Sequence, residues 1–464
     1  MDLKKNEEYI LYIDDMGKDG EGIGHIEGYA LFVKGALIGE KVRVSIMKMK
    51  KQYGFARLLE VLVPSSHRCQ LSCACAGPCG GCSLQHMDYQ GQLLFKEKKV
   101  KDCLTRLGGV DIALVDWQPI IGMQEDKSGN LAEPWHYRNK AQFPVRADQD
   151  GKPITGFFAE RSHRLIPMEE CRIQHPVINQ VLSVVMDFLR TYEIRAYNEE
   201  RHKGLVRHIY VRRAYHTGQV MVCLVVNGDT LPFRDKLVEA LQNIPGITSI
   251  YLNLNTASTN VILGDKMKLL WGEPTIMDYI GDICYRISPQ SFYQVNPVQT
   301  EKLYQTALDF ADLHGGEKVW DLYCGIGTIS LFLARKAGHV TGVEIVPEAI
   351  ENAKANAAMN GIDNVDFYCG AAEDVVTDMV AKQQQKVDVV VVDPPRKGCD
   401  RSLLDVIVRM QPEKVVYVSC DPATLARDVR GLGENGYGVK KVRPCDMFPQ
   451  GGHVETVVLM SRVK

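Results

Sequence analysis

Three groups of residues in this chain could do chemistry. The first is a thiol. Cys420 lies in Val418-Ser-Cys-Asp-Pro-Ala-Thr-Leu-Ala-Arg-Asp428, where the apolar run Lys414–Ser419 gives way to Asp-Pro. That pattern reads as strand, turn and helix start. Ligands of an open α/β sheet sit outside the carboxyl ends of its strands, so a thiol there is placed to attack an electrophile. Taken alone, such a cysteine is more often a buried small hydrophobe. The second group is carboxylates that close or precede apolar runs: Glu344, Asp393 and Glu455. The third is five thiols in fourteen residues, Cys69, Cys73, Cys75, Cys79 and Cys82, ending in Cys-Gly-Gly-Cys. Cysteines so dense in a chain without secretory features point to a metal centre rather than to disulfides. Zinc and an iron–sulfur cluster compete for them. Zinc sites commonly add a second Cys-x-x-Cys or a His pair, and neither is present.

The elements that must position the thiol lie between residues 291 and 464, where strands and helices alternate as in a doubly wound parallel sheet. Lys318–Ala334 reads as strand, glycine turn, helix, and Gly325 and Gly327 let the backbone approach a ligand. A second strand ends in Glu344, 19 residues after Gly325, the place for a carboxylate that takes ribose hydroxyls. Ser330 stands at the third glycine position of the dinucleotide fingerprint, which counts against NAD. A third strand ends in Asp393-Pro-Pro-Arg396. The Asp-Leu-Tyr-Cys-Gly-Ile-Gly turn with its strand-end acid resembles S-adenosylmethionine-dependent methyltransferases. Asp-Pro-Pro is similar to a motif of those that act on nucleic acids.

Taken together, Val-Ser-Cys-Asp-Pro-Ala-Thr-Leu-Ala-Arg-Asp, Asp-Met-Phe-Pro-x-x-x-His-Val-Glu, Asp-Pro-Pro-Arg-x-Gly, Phe-Tyr-Gln-Val-Asn and the cysteine cluster resemble the bacterial 23S rRNA uracil-5 methyltransferases over nearly the whole chain. The resemblance implies that Cys420 is a nucleophile adding to carbon 6 of a flipped-out uracil, which makes carbon 5 nucleophilic. Glu455 would then be the base that removes the carbon 5 proton, with Asp446 as runner-up. Gln294, Tyr323, Glu344 and Asp393 would contact S-adenosylmethionine, and Asp393 would also orient the uracil edge. No His or Lys stands beside Cys420 in sequence, so the expected activation of the thiol is the N-terminus of the following helix.

The same resemblance, through Gly80-Gly-Cys-Ser-Leu-Gln-His86, implies a [4Fe–4S] cluster held by Cys73, Cys79, Cys82 and the remote Cys171, with Cys69 and Cys75 as extra thiols and Cys75 able to replace Cys73. Four thiolates leave no open coordination position, so the cluster reads as a staple. At the N-terminus, Gly-rich turns and short β runs predict a small barrel over 1–64. Asp-x-x-x-x-Gly-x-Gly followed by Ala30–Val42 resembles the TRAM domain, an OB-like RNA-binding barrel. Lys41 to Arg57 carries six Lys/Arg and no acid, with Tyr53 and Phe55 among them, which suits single-stranded RNA.

Residues 65–290 are expected to form a central α+β RNA-binding domain carrying the cluster, with part of 90–110 packing on the catalytic domain at 291–464. Tyr89–Leu107 reads as a helix ending at Gly108-Gly109. Tyr137-Arg-Asn-Lys140 and Gly156–His163 are candidate RNA contacts. The basic group Arg195, Arg201, His202, Lys203, Arg207, His208, Arg212 and Arg213 is either an RNA face or a solvated edge. Net charge is -2, so no global field announces nucleic acid. The start lacks a signal peptide's apolar region and no apolar run is long enough to span a bilayer, so a cytoplasmic protein is expected; a monomer is expected as well. The alternatives are the same chemistry on tRNA, whose enzymes generally lack the barrel and the cluster, and a noncatalytic RNA-binding iron–sulfur protein with a relic cofactor fold.

Overall fold

The computed structural model describes residues 3–123, 134–160, 162–383 and 387–463, so Arg161 of the Gly156–His163 stretch lies outside the described residues. Five strands, Glu8–Met16, Gly22–Ile26, Tyr29–Lys34, Lys41–Met49 and Tyr53–Val63, close into a barrel. The first pairs with both the second and the fourth, so no edge is left open. Alternating residues such as Leu11, Ile13, Leu31, Val33 and Val44 fill the interior. Glycines obscure the second strand in sequence for a physical reason. A Cβ on Gly24 would lie 2.6 Å from the Tyr12 carbonyl oxygen, so this strand crosses its neighbour where a side chain cannot fit.

The middle of the chain forms a seven-stranded sheet centred on Val206–Arg213 and Val220–Val226. Val220–Val226 is buried along its length, which explains its unbroken apolar run. Lys140–Ala147 and Pro153–Phe158 extend this sheet on one side and Ile247–Leu254 on the other. Helix Pro176–Thr191 packs its apolar face against it.

Helix Tyr89–Arg106 belongs elsewhere. The Asp88 side chain caps it by accepting from the Gly91 N–H. Its Val100 and Leu104 share a core with Leu425, Val429 and Leu432 of helix Pro422–Gly433. Asp116–Trp117 then pairs with Lys441–Val442. The stretch from 89 to 117 therefore packs on the C-terminal sheet although it precedes the middle sheet in sequence.

That C-terminal sheet runs Val365–Cys369, His339–Glu344, Lys318–Leu322, Val389–Val392, Lys414–Ser419, Glu455–Arg462, Tyr437–Cys445, Asp116–Trp117. Its first five strands are parallel. The build direction reverses between Lys318–Leu322 and Val389–Val392, which opens a crevice at their carboxyl ends. Glu455–Arg462 then inserts antiparallel against Lys414–Ser419. This is the class I S-adenosylmethionine-dependent methyltransferase architecture behind an N-terminal barrel. Among the described residues no helix is long and apolar enough to cross a membrane.

Candidate active site

The crevice begins where Lys318–Leu322 ends. Tyr323, Gly325 and Gly327 all have positive φ, 70°, 57° and 82°, so the chain turns sharply three times in five residues. The two glycines act differently. A Cβ on Gly327 would meet the Phe367 ring at 3.0 Å, whereas none of the protein lies within 4 Å of a Cβ on Gly325. Gly325 thus faces open space and Gly327 serves close packing. Glu344 turns back to this loop: its carboxylate accepts from the N–H groups of Gly325 (3.2 Å), Ile345 (2.8 Å) and Val346 (3.0 Å). Beside it, Ile345 is 64% exposed, a large apolar side chain facing solvent.

Asp321, on the same strand, was not singled out in sequence, although it opens the Asp-Leu-Tyr-Cys-Gly-Ile-Gly motif. It is buried, Ser330 donates to its Oδ2, and its Oδ1 has no protein partner. Burial pushes its carboxyl up to about 7. Ser330 at the third fingerprint position therefore serves this acid. Asp393, half-buried just past the end of Val389–Val392, is likewise raised to about 7 by desolvation. Burial also holds Tyr323 above its usual range. The Gln294 carbonyl accepts from Asn139 Nδ2 at 3.0 Å. A carboxylate at a strand end, an open glycine, an exposed isoleucine and an orphaned acid oxygen together fit S-adenosylmethionine, with hydroxyls for Glu344, an apolar ring for Ile345 and a cationic end for Asp321 and Asp393.

Cys420 and Glu455 meet across the antiparallel pair. Ser419 is opposite Thr456 in the register, so the next residues outward are Cys420 and Glu455. Glu455 is buried, and burial, then the Asp393 charge, raises it to about 8. Cys420 is half-buried and is pushed up to about 12 by burial, then by Glu455 and Asp393, with Arg396 opposing. The expectation of a helix-activated thiol fails here. The Asp421 carboxylate accepts from the Ala423 and Thr424 N–H groups at 2.9 and 3.1 Å, so the helix N-terminal donors already have an anion. Asp446 is placed against the runner-up role: it is buried in an ion pair with the equally buried Lys96.

Farther away, Cys73, Cys79, Cys82 and Cys171 line one cavity of about 240 Å³; Cys69 and Cys75 are not on its wall. Gln85 Oε1, Arg138 Nε and Gln174 Oε1, also at this cavity, are buried without protein partners. Two RNA-contact expectations are corrected. Tyr137 is buried and donates to the Pro449 carbonyl, and Asn139 is buried against Gln294, so both join parts of the protein. In the basic group, Arg207 and Arg212 are neither an RNA face nor a solvated edge. Arg207 donates to the Asn255, Ala257 and Thr259 carbonyls, and Arg212 to those of Ser288 and Ser291. Buried guanidiniums staple loops here because each has five donors to satisfy.

The profile of the tRNA (uracil-5-)-methyltransferase family matches residues 130–463 and that of the TRAM domain residues 3–59. The chain belongs to the tRNA (uracil-5-)-methyltransferase family. As a member it is an RNA methyltransferase that uses S-adenosylmethionine, and its barrel is a TRAM domain. It is 48% identical over 460 residues to an uncharacterized RNA methyltransferase of Clostridium tetani, covering 99% of this chain and 97% of the relative. It is 50% identical over 459 residues to another from Halalkalibacterium halodurans, covering 99% and 98%. The solved Pyrococcus abyssi tRNA (uracil-54, C5)-methyltransferase, in complex with S-adenosyl-L-homocysteine, is similar with a TM-score of 0.75 at 27% identity, covering 97% of this chain and 99% of that one. That coverage takes in the barrel, so a TRAM domain does not separate rRNA from tRNA enzymes.

Proposed function

We propose that this methyltransferase places a methyl group on carbon 5 of a uridine in 23S rRNA, with Cys420 as nucleophile and Glu455 as base. The observation that carries this reading is the register that pairs Ser419 with Thr456, so that Cys420, the residue after one strand, and Glu455, the first of its neighbour, come next at the crevice. The Cys420 thiolate forms a bond to carbon 6, and the ring π electrons move to the O4 enolate. When bound, S-adenosylmethionine supplies the sulfonium methyl that carbon 5 then takes. Glu455 accepts the carbon 5 proton, the C5–C6 double bond re-forms, the C6–S bond breaks, and the thiolate returns. Gln294, Tyr323, Gly325, Gly327, Glu344 and Asp393 are the proposed cofactor contacts.

The 23S target rests on the bacterial motif set. The similarity to the Pyrococcus tRNA enzyme over nearly its full length favours a second reading, a tRNA uridine. Mapping 5-methyluridine in both RNAs from a deletion strain decides. Loss of the modification from 23S rRNA alone is expected; loss from tRNA alone contradicts the target and leaves the chemistry intact.

We further propose that Cys73, Cys79, Cys82 and Cys171 hold a [4Fe–4S] cluster. What supports this reading is that the four thiols line one cavity of about 240 Å³, where Gln85 Oε1, Arg138 Nε and Gln174 Oε1 are buried without protein partners. Such a cluster would staple the 73–82 segment to the segment that carries Cys171. Iron and sulfide in equal amounts, lost in Cys79→Ser, are expected; one zinc per chain contradicts the proposal.

A further inference from the structure

Residues 446–452 form an irregular loop that leads into Glu455. A buried backbone must find partners for its polar groups. Here they come from far away in the chain. The Asp446 and Met447 carbonyls accept from Gln299 Nε2 (3.0 Å) and Asn296 Nδ2 (3.2 Å), at the start of helix Pro297–Ala311. The Phe448 and Gly452 carbonyls accept from Lys96 Nζ (2.9 Å) and Lys99 Nζ (2.8 Å) of helix Tyr89–Arg106. The Pro449 carbonyl accepts from Tyr137 (3.0 Å), and the Gln450 carbonyl from the Leu84 N–H (2.9 Å), two residues beyond Cys82. Six of the seven carbonyls are thus held from outside the loop.

Two side-chain pairs complete the arrangement. Gln450 donates its N–H to Gln92 Oε1 at 2.8 Å, and Gln92 Nε2 donates to Gln450 Oε1 at 3.1 Å. Gln92 Nε2 also reaches the Leu84 and Met87 carbonyls, which ties the cysteine-bearing segment to the same point. Lys96 and Asp446 form the buried ion pair beneath them. Gln450 is held at a φ of 68°, a conformation that a non-glycine residue keeps only where its surroundings impose it.

We propose that Gln92 and Lys96 are positioning residues for Glu455: through the 446–452 loop, the cysteine-bearing half of the chain sets the geometry of proton removal and release of the covalent intermediate. This rests on the reading of Glu455 as the base. Cys420 hangs from a different strand end, and the hydrogen bonds that hold this loop's carbonyls from outside run to residues 84–99, 137, 296 and 299 rather than to Cys420, so bond formation and bond release should separate.

The test is single-turnover kinetics on the full chain, with methyl-labelled S-adenosylmethionine and total RNA from a deletion strain. It follows methyl incorporation into denaturant-stable RNA–protein adduct and the release of methylated RNA. In Gln92→Met, incorporation should stay within about twofold of the parent, while release slows about ten- to a hundredfold, the scale of a catalytic group misplaced by about 1 Å. The paired change Lys96→Met with Asp446→Asn leaves no lone buried charge and should show the same split. Parental release in both variants, or incorporation and release falling by one factor, overturns the proposal. Glu455→Gln separates the two readings. If it stalls release while Gln92→Met does not, the base stands and the positioning role falls. If it releases normally, the base reading itself falls.

Discussion

Cys420 stands in a cleft that, without its ligands, resists making a thiolate. Its thiol is pushed up to about 12 because burial and two carboxyls, Glu455 and Asp393, outweigh Arg396. A cation entering the cleft would oppose that shift. Alkylation of Cys420 in the free enzyme should therefore be slow at pH 8 and climb about tenfold per pH unit toward pH 10, following the thiolate fraction. A rate already level above pH 8 would mean a depressed thiol. Glu455 makes a prediction about stability. Its carboxyl sits at about 8 when folded, against an ordinary value of 4.5. Between those values the folded chain holds a proton that the unfolded chain has released, so stability falls as pH rises across that window. Glu455→Gln removes the titration, and its gain in Tm over the parent should be larger at pH 8 than at pH 5. A gap that does not change with pH contradicts the burial argument. Among residues, the strand-end positions of Cys420, Glu344 and Asp393 were legible, because an apolar run stops at each. Gln92 and Lys96 escaped because a polar residue on a helix looks like a solvated face until its partner, here Gln450 and Asp446 some 350 positions away, is brought to it.

At the scale of elements, the alternating strands and helices after 291 were readable from period and punctuation. Three things were not. The barrel strand Gly22–Ile26 is hidden by glycines that serve a close crossing. Val206–Arg213 carries arginines whose partners are loop carbonyls, so its alternation is broken. Helix Tyr89–Arg106 was visible, but the sequence alone does not reveal how many of the catalytic-side contacts it makes. Its connection to the site can be tested with one change. Lys96→Met alone strands the Asp446 charge in a buried setting and should cost roughly 3–5 kcal/mol of stability. The paired Lys96→Met, Asp446→Asn chain should recover most of it. Chemical denaturation of both chains checks this, and equal losses would mean the pair is not coupled.

The whole molecule joins an RNA-binding barrel to a methyl-transfer cleft. Phe32, Tyr53 and Phe55 form a cluster of rings with centroids 5.6 to 5.8 Å apart on the barrel. Lys48, Lys50 and Lys51 are exposed nearby in sequence. With net charge near zero, affinity for RNA must come from local groups such as these. Replacing the three lysines with Ala should lower the salt slope of RNA binding by about 2, at about 0.7 per single-strand phosphate contact, and leave S-adenosylmethionine binding unchanged. An unaltered slope would move the RNA path off this face. The most direct test of the whole account is the fate of RNA on Glu455→Gln. Incubated with S-adenosylmethionine and substrate RNA, this chain should accumulate an adduct that survives denaturing gels, with the nucleotide mapped to Cys420 by peptide mass spectrometry. No adduct, or an adduct on another residue, would contradict the pairing of Cys420 and Glu455 on which the function is built.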